Sequence, residues 1–255
     1  MSAAGRWRLV FIVALLAVGA STPVLAQPHQ ASQMPLLASC QPRTDTTDSF
    51  SYRFCSAPVS SFDGTALDVD LTLPSAAAAR GGYPLLVLMH GWGADKTDFE
   101  AKDYCGTTVA YACFFNNVWF AHRGYAVVTY TARGFHASQG YTHLADMRWE
   151  VHDTQYLAGL LVDAGIARPG IGVAGLSYGG GQSWLLAVLA DRVMNPDGSL
   201  TRWRSPAGKP MHVAAAEPRY TWTDLVDALT PNGRSSDNLL IPNGDRTSPY
   251  GIEKK

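Results

Sequence analysis

The stretch that decides the fold is Ile171-Gly172-Val173-Ala174-Gly175-Leu176-Ser177-Tyr178-Gly179-Gly180-Gly181. A short apolar run leads directly into Gly-x-Ser-x-Gly, and a helical segment over 182–192 follows. Strand, sharp turn and helix form the setting in which a serine is presented at the apex of a strained turn, a nucleophile elbow. The positions flanking the apex need to be small so that strand and helix can close on each other, and the glycines at 179–181 let the helix start approach neighbouring strands. The free N–H groups of the helix N-terminus then face a developing negative charge. Ser177 is therefore the candidate nucleophile, and the backbone N–H of Tyr178 is one candidate oxyanion donor.

Outward from this point, 85–89 and 125–130 are continuous apolar runs like 171–174, and 213–216 is a weaker one. Strands buried on both faces of a parallel sheet have this pattern. Leu67, Val69, Leu71 and Leu73 alternate with Asp68, Asp70 and Thr72, which predicts a strand with one wet face at an antiparallel edge. The segment 52–60 is its candidate hairpin partner, across Phe62-Asp63-Gly64-Thr65. Helices are expected over 116–122, 147–164 and 182–192, with Gly124 and Gly165 as stops for the first two. The order β–β–β–α–β–α–β–α–β predicts an α/β fold, a mostly parallel doubly wound sheet with antiparallel N-terminal strands.

The 255 residues are 47% hydrophobic and 16% charged, which suits one sizeable domain and excludes a disordered or coiled-coil chain. A net charge of −1 gives nucleic-acid binding no support. Arg6 and Arg8 precede an apolar run over 9–20, then small residues and Val24-Leu25-Ala26, the pattern of a secretory signal. That run is shorter than the roughly 20 residues needed to span a bilayer. Export is expected, with cleavage near Ala26, a mature chain from Gln27 and no stable membrane insertion afterwards. Residues 27–48 read as a polar, mobile leader, 49–230 as the core and 231–255 as a polar tail. Cys40, Cys55, Cys105 and Cys113 all lie in the mature part, and an even count in an exported protein predicts disulfides. Three pairings are open; the local ones, Cys40–Cys55 and Cys105–Cys113, are preferred. Within one straight helix Cys105 and Cys113 would stand about 12 Å apart, so bridging them requires a bend. No CxxC or histidine pair accompanies the cysteines, so no metal site is predicted.

The second oxyanion donor is expected just after the 85–89 strand, where His90-Gly91-Trp92-Gly93 stands. Trp92 is the candidate, through its backbone or indole N–H, with walling the pocket as the alternative; His90 reads as a structural residue fixing the loop. A base and an orienting acid should follow the serine in chain order. The only histidine after Ser177 is His212, which precedes the 213–216 strand and so falls at the wrong end of the sheet. His136, His143 and His152 lie upstream of the elbow, and Asp224, Asp227, Asp237 and Asp245 carry no mark of context. Only one further strand is evident after the elbow helix. The expectation is a fragment, truncated on the C-terminal side of the sheet, with acid and base beyond Lys255.

The run Tyr130-Thr131-Ala132-Arg133-Gly134-Phe135, with Ser138 and Gly140, resembles the Tyr-Asp-Thr-Arg-Gly-Phe-Gly-x-Ser-x-Gly block of the Xaa-Pro dipeptidyl-peptidase and cocaine-esterase-like hydrolases, the S15 peptidase group. Asp63-Gly64-Thr65 followed by Leu67-Asp68-Val69, Glu150 and Asp153 on a helix, and the elbow itself fit the same pattern, over roughly residues 50–230. The resemblance implies an α/β-hydrolase fold and a serine hydrolase. It would cleave an ester or amide bond, Xaa-Pro peptides included, through an acyl-enzyme, on a small-molecule ester or peptide substrate and without a cofactor. β-Lactam acylases share the group, so the substrate stays open. Two departures stand out. Thr131 occupies the family's Asp position, and Trp92 stands where members carry a tyrosine whose hydroxyl helps to bind the oxyanion. The family's cap, acid, histidine and C-terminal jelly-roll domain have no counterpart here. Arg133 and Arg148 are candidates for holding a substrate carboxylate, against a salt-bridge role. The missing histidine motivates an alternative of another class, a non-catalytic ligand-binding protein on a hydrolase fold.

Overall fold

The structure is a computed structural model and describes residues 34–47, 49–101 and 114–229. Along the chain run α1 (Pro35–Ala38), β1 (Gln41–Thr44), β2 (Ser51–Ser60), β3 (Ala66–Pro74), β4 (Tyr83–Met89), α2 (Asn117–Ala121), β5 (Ala126–Tyr130), α3 (Glu150–Asp163), β6 (Ala167–Leu176), α4 (Tyr178–Leu189), β7 (Arg192–Met194), β8 (Leu200–Arg202), β9 (His212–Arg219) and α5 (Leu225–Leu229). One sheet has the order β1-β2-β3-β5-β4-β6-β9. β5, β4, β6 and β9 pair in parallel, while β1, β2 and β3 join antiparallel. The strand order reverses at β4, which has β5 on one side and β6 on the other. The crevice beyond the carboxyl ends of β4 and β6 is where an open α/β sheet binds its ligand.

The apolar runs form strands because both of their faces are covered. Val87, Val128, Ile171 and Val173 share a buried cluster with Val151, Leu157, Leu161 and Leu186 of α3 and α4. Leu86, Leu88, Val127 and Ala174 pack with Phe99 in a second cluster. This double burial is the reason the parallel strands read as unbroken apolar stretches.

Several expectations need correction. β3 is not an edge with a wet face: it lies between β2 and β5, and Asp70 and Thr72 are buried. Their polarity is satisfied locally. Lys96 Nζ donates to Asp70 at 2.7 Å, and Asn117 Nδ2 donates to Thr72 Oγ1 at 2.9 Å. The polar stretch up to residue 48 is not wholly a leader, since from Met34 on it supplies α1 and the edge strand β1, with Leu36 buried. The hairpin β7–β8 was not expected, although Asn195-Pro196-Asp197-Gly198 is a legible turn, closed by Gly198 N–H to Asn195 O at 2.8 Å. Finally, α4 begins at Tyr178 and not at residue 182.

A disulfide joins Cys40 to Cys55 and ties α1 and β1 to the middle of β2. Cys105 and Cys113 lie outside the described residues, as do the signal segment and the 231–255 tail. Closing a 15-residue span stabilises by about 3 kcal/mol in the chain-entropy model. Reduction, or Cys40→Ser, is therefore expected to lower the unfolding free energy by about that amount in chemical denaturation, with the sheet's far half intact.

Candidate active site

Ser177 sits between the last residue of β6 and the first of α4, at the carboxyl end of the parallel sheet, and is exposed. Its backbone has φ 54° and ψ −110°, a conformation that L-residues adopt only when the surroundings enforce it. Two contacts enforce it here: Ser177 N–H donates to Arg219 O of β9 at 2.9 Å, and Ser177 O accepts Gly181 N–H at 2.9 Å. The glycines are sterically required. A Cβ on Gly175 would come within 2.3 Å of the Gly179 carbonyl, and one on Gly179 within 2.0 Å of Met89 O. As the first residue of the twelve-residue α4, Tyr178 has no intrahelical acceptor for its N–H, which stands beside the serine.

The loop after β4 closes over the same point. A Cβ on Gly91 would lie 4.0 Å from Ser177 Cβ. His90 is buried; its Nε2 accepts Ala132 N–H at 2.9 Å, which leaves Nδ1 as donor to Gly91 O at 2.7 Å. Burial holds this imidazole below its ordinary range, and it serves, as expected, to fix the loop. Gly91 N–H is taken by Asp98 Oδ2 at 3.2 Å, and His136 Nε2 donates to Gly93 O at 2.9 Å. Trp92 N–H has no acceptor among the described residues. The Trp92 ring is 59% exposed and packs edge-on against Phe135, at 5.1 Å, and Tyr178, at 5.3 Å. The fold thus brings Trp92, Tyr178 and Ser177 together.

The segment carrying Trp92 is anchored downstream by a 3-10 turn over Lys96–Phe99, which Asp95 caps. Lys96 Nζ bridges Asp68 at 2.6 Å and Asp70 at 2.7 Å, and Lys96 N–H donates to Thr131 Oγ1 at 3.2 Å. Thr131, next to Tyr130 at the end of β5, therefore receives this anchor. Burial and the Asp70 carboxylate push the neighbouring Glu100 carboxyl up to about 9. The unfolded chain loses that proton near the ordinary value of 4.5, so between these limits the folded state holds more protons. Stability should fall as pH rises through that window, and Glu100→Gln should flatten the slope in denaturation curves taken across it.

The arginines read as possible carboxylate binders are already engaged. Arg133, 2% exposed, gives Nε and Nη2 to Asp153 at 2.6 Å each and Nη1 to Asp63 at 2.9 Å. Burial raises the Asp153 carboxyl and the guanidinium opposes that rise, so it remains ionised at neutral pH. Ser61 Oγ also donates to Asp153. The Arg-Gly-Phe motif and the Asp63 turn therefore lock the β2–β3 connection to α3. Arg148 gives Nε and Nη2 to Asp146 at 3.0 and 2.7 Å.

Among the described residues no histidine is bonded to Ser177. His212 pairs with Gly170 at the amino end of β6, six residues or roughly 20 Å from Leu176. His143 stacks on Trp149 and lies 3.7 Å from Glu150, and His152 stacks on Phe62. Asp224 lies at the start of α5, while Asp237 and Asp245 are outside the described residues. The described residues hold no cluster of metal-ligating side chains.

A sheet with this crossover and a strained serine between β6 and α4 defines an α/β-hydrolase. The model of the X-Pro dipeptidyl-peptidase (S15) family matches residues 63–196, just over half of the chain, and the protein belongs to that family. No curated protein matches it in sequence. Among solved structures it is similar to an α/β-hydrolase of Penicillium, with 20% identity over 53% of this chain and 41% of that one (TM-score 0.39). An esterase of Pyrococcus furiosus matches at 20% identity over 57% and 53% (TM-score 0.38). A CocE/NonD family hydrolase of Staphylococcus aureus matches at 16% over 59% and 28% (TM-score 0.44). The chain spans 28–53% of the length of these structures.

Proposed function

We propose that this protein is an exported serine hydrolase that cleaves an ester or amide bond, Xaa-Pro peptides included, through an acyl-enzyme on Ser177. The observation that carries this reading is the left-handed Ser177 between β6 and α4, exposed and followed directly by the first N–H of the helix at Tyr178. The hydroxyl oxygen attacks the substrate carbonyl carbon, its proton passes to a base, and the carbonyl oxygen gathers negative charge. Tyr178 N–H and Trp92 N–H take up that charge, supported by the N-terminal end of α4. Collapse expels the alcohol or amine, and water then releases the acyl group by the same route. The base and its orienting acid are assigned to residues outside the described ones. The Cys40–Cys55 bridge supports export, since such bonds persist in oxidising compartments.

The test is modification of the natural gene product by an alkyl fluorophosphonate, with the adduct mapped to Ser177. Absence of labelling at any pH would leave a ligand-binding protein on a hydrolase fold. The indole of Trp92 is held edge-on by Phe135 and Tyr178, so the backbone N–H is assigned as the donor. Trp92→Ala should therefore change the labelling rate by less than about tenfold, whereas loss of an oxyanion donor costs roughly 10²–10³.

A further inference from the structure

The end of β9 brings one more charged residue to the strand end that carries the serine. Arg219 is the register partner of Leu176, and its carbonyl holds Ser177 N–H. Its guanidinium lies over Phe115, the guanidinium carbon 3.8 Å from the ring centroid, and Phe115 and Leu176 both border the Leu86, Leu88, Phe99, Val127 and Ala174 cluster. A cation stacked in this way is fixed in plane while its N–H edge stays available. Arg219 Nε donates to Glu217 Oε1; Nη1 and Nη2 have no acceptor among the described residues, and the side chain is 31% exposed. Among the described residues Lys96 is committed to Asp68 and Asp70, Arg133 to Asp63 and Asp153, and Arg148 to Asp146.

We infer that Arg219 is a substrate-binding residue, whose free guanidinium edge receives a carboxylate carried by the ester or amide that Ser177 attacks. The inference rests on the hydrolase reading above and narrows its substrate class to acyl compounds that bear a carboxylate. Two parallel N–H donors match the two oxygens of a carboxylate, a geometry a lysine does not offer. Glu217 takes the Nε side, fixing the orientation of the plane, and its charge opposes the incoming anion. Removing that charge while keeping the shape, as in Glu217→Gln, therefore strengthens carboxylate binding.

The test uses the natural gene product and ligands that cannot be hydrolysed: 5-oxohexanoate and its uncharged counterpart 2-hexanone. Binding is followed by the ¹⁵N resonance of the Arg219 Nε–H group, assigned by its loss in Arg219→Gln, and by backbone amide shifts near the elbow. The expected result is tighter binding of the keto acid than of the ketone by about tenfold or more. Arg219→Gln should erase the preference, Arg219→Lys should keep part of it and Glu217→Gln should enlarge it. Equal binding of the two ligands by the unmodified protein, or a preference that survives Arg219→Gln, overturns the assignment. Failure of the hydrolase reading is seen separately, as absence of fluorophosphonate adduct on Ser177, because ketone binding needs no turnover.

Discussion

Replacing Ser177 by alanine is expected to abolish fluorophosphonate labelling and to lower ester or amide turnover by the natural gene product roughly 10⁴–10⁶-fold. The magnitude follows from the loss of the covalent route as a whole. What remains is binding and the two N–H donors, which act on water as the nucleophile. The variant should fold, because alanine keeps the Cβ that the elbow already accommodates at φ 54°. Ser177→Gly should be equally inactive but more stable than the parent by about 1 kcal/mol, since glycine takes that backbone conformation without strain. Turnover persisting in Ser177→Ala would remove the acyl-enzyme mechanism. A Ser177→Gly variant no more stable than the parent would show that the elbow stores no strain.

The second large effect is on stability. Arg133→Met is expected to cost about 3–5 kcal/mol, because it leaves the Asp153 carboxylate buried without its cation. The loss should shrink as pH falls, since an unpaired buried carboxyl escapes its penalty by taking up a proton. Arg133→Met combined with Asp153→Asn should recover much of the stability, the signature of two groups that act as one unit. Denaturation of the single and double variants at neutral and mildly acidic pH measures all three quantities. A loss that stays constant with pH and adds across the two sites would show that Arg133 contributes by packing alone.

Much of the fold was legible in residue order. The apolar runs at 85–89, 125–130 and 171–174 became β4, β5 and β6 because burial on both faces demands such runs. Gly-x-Ser-x-Gly was readable because the crossing of β6 and α4 tolerates no side chain at Gly175 or Gly179. The misreadings share one cause. Asp70 and Thr72 looked solvent-facing because alternation reports polarity, and polarity stands for exposure only when no partner covers it. Lys96 and Asn117, 26 and 45 residues away in sequence, supply that cover. The stretch before residue 48 looked like a leader for a similar reason: β1 is exposed at every position and is held by its pairing with β2 and by the Cys40–Cys55 bridge.

What the sequence alone determined is therefore whatever is encoded within a few residues: the strand runs, the elbow, and the glycines that permit close backbone approach. Its match to the S15 pattern adds the identity of the loop motifs. What only the tertiary structure decided is how charge is spent. Arg133 and Arg148 were equally eligible carboxylate binders in the sequence, and only the packing consumes Arg133 in a buried triad and Arg148 on Asp146. Sheet register sets Arg219 opposite Leu176, where its carbonyl holds Ser177 N–H. Electrostatic partnership depends on distance in space, which falls off within a few ångströms, whereas strand and turn propensity act through the chain itself.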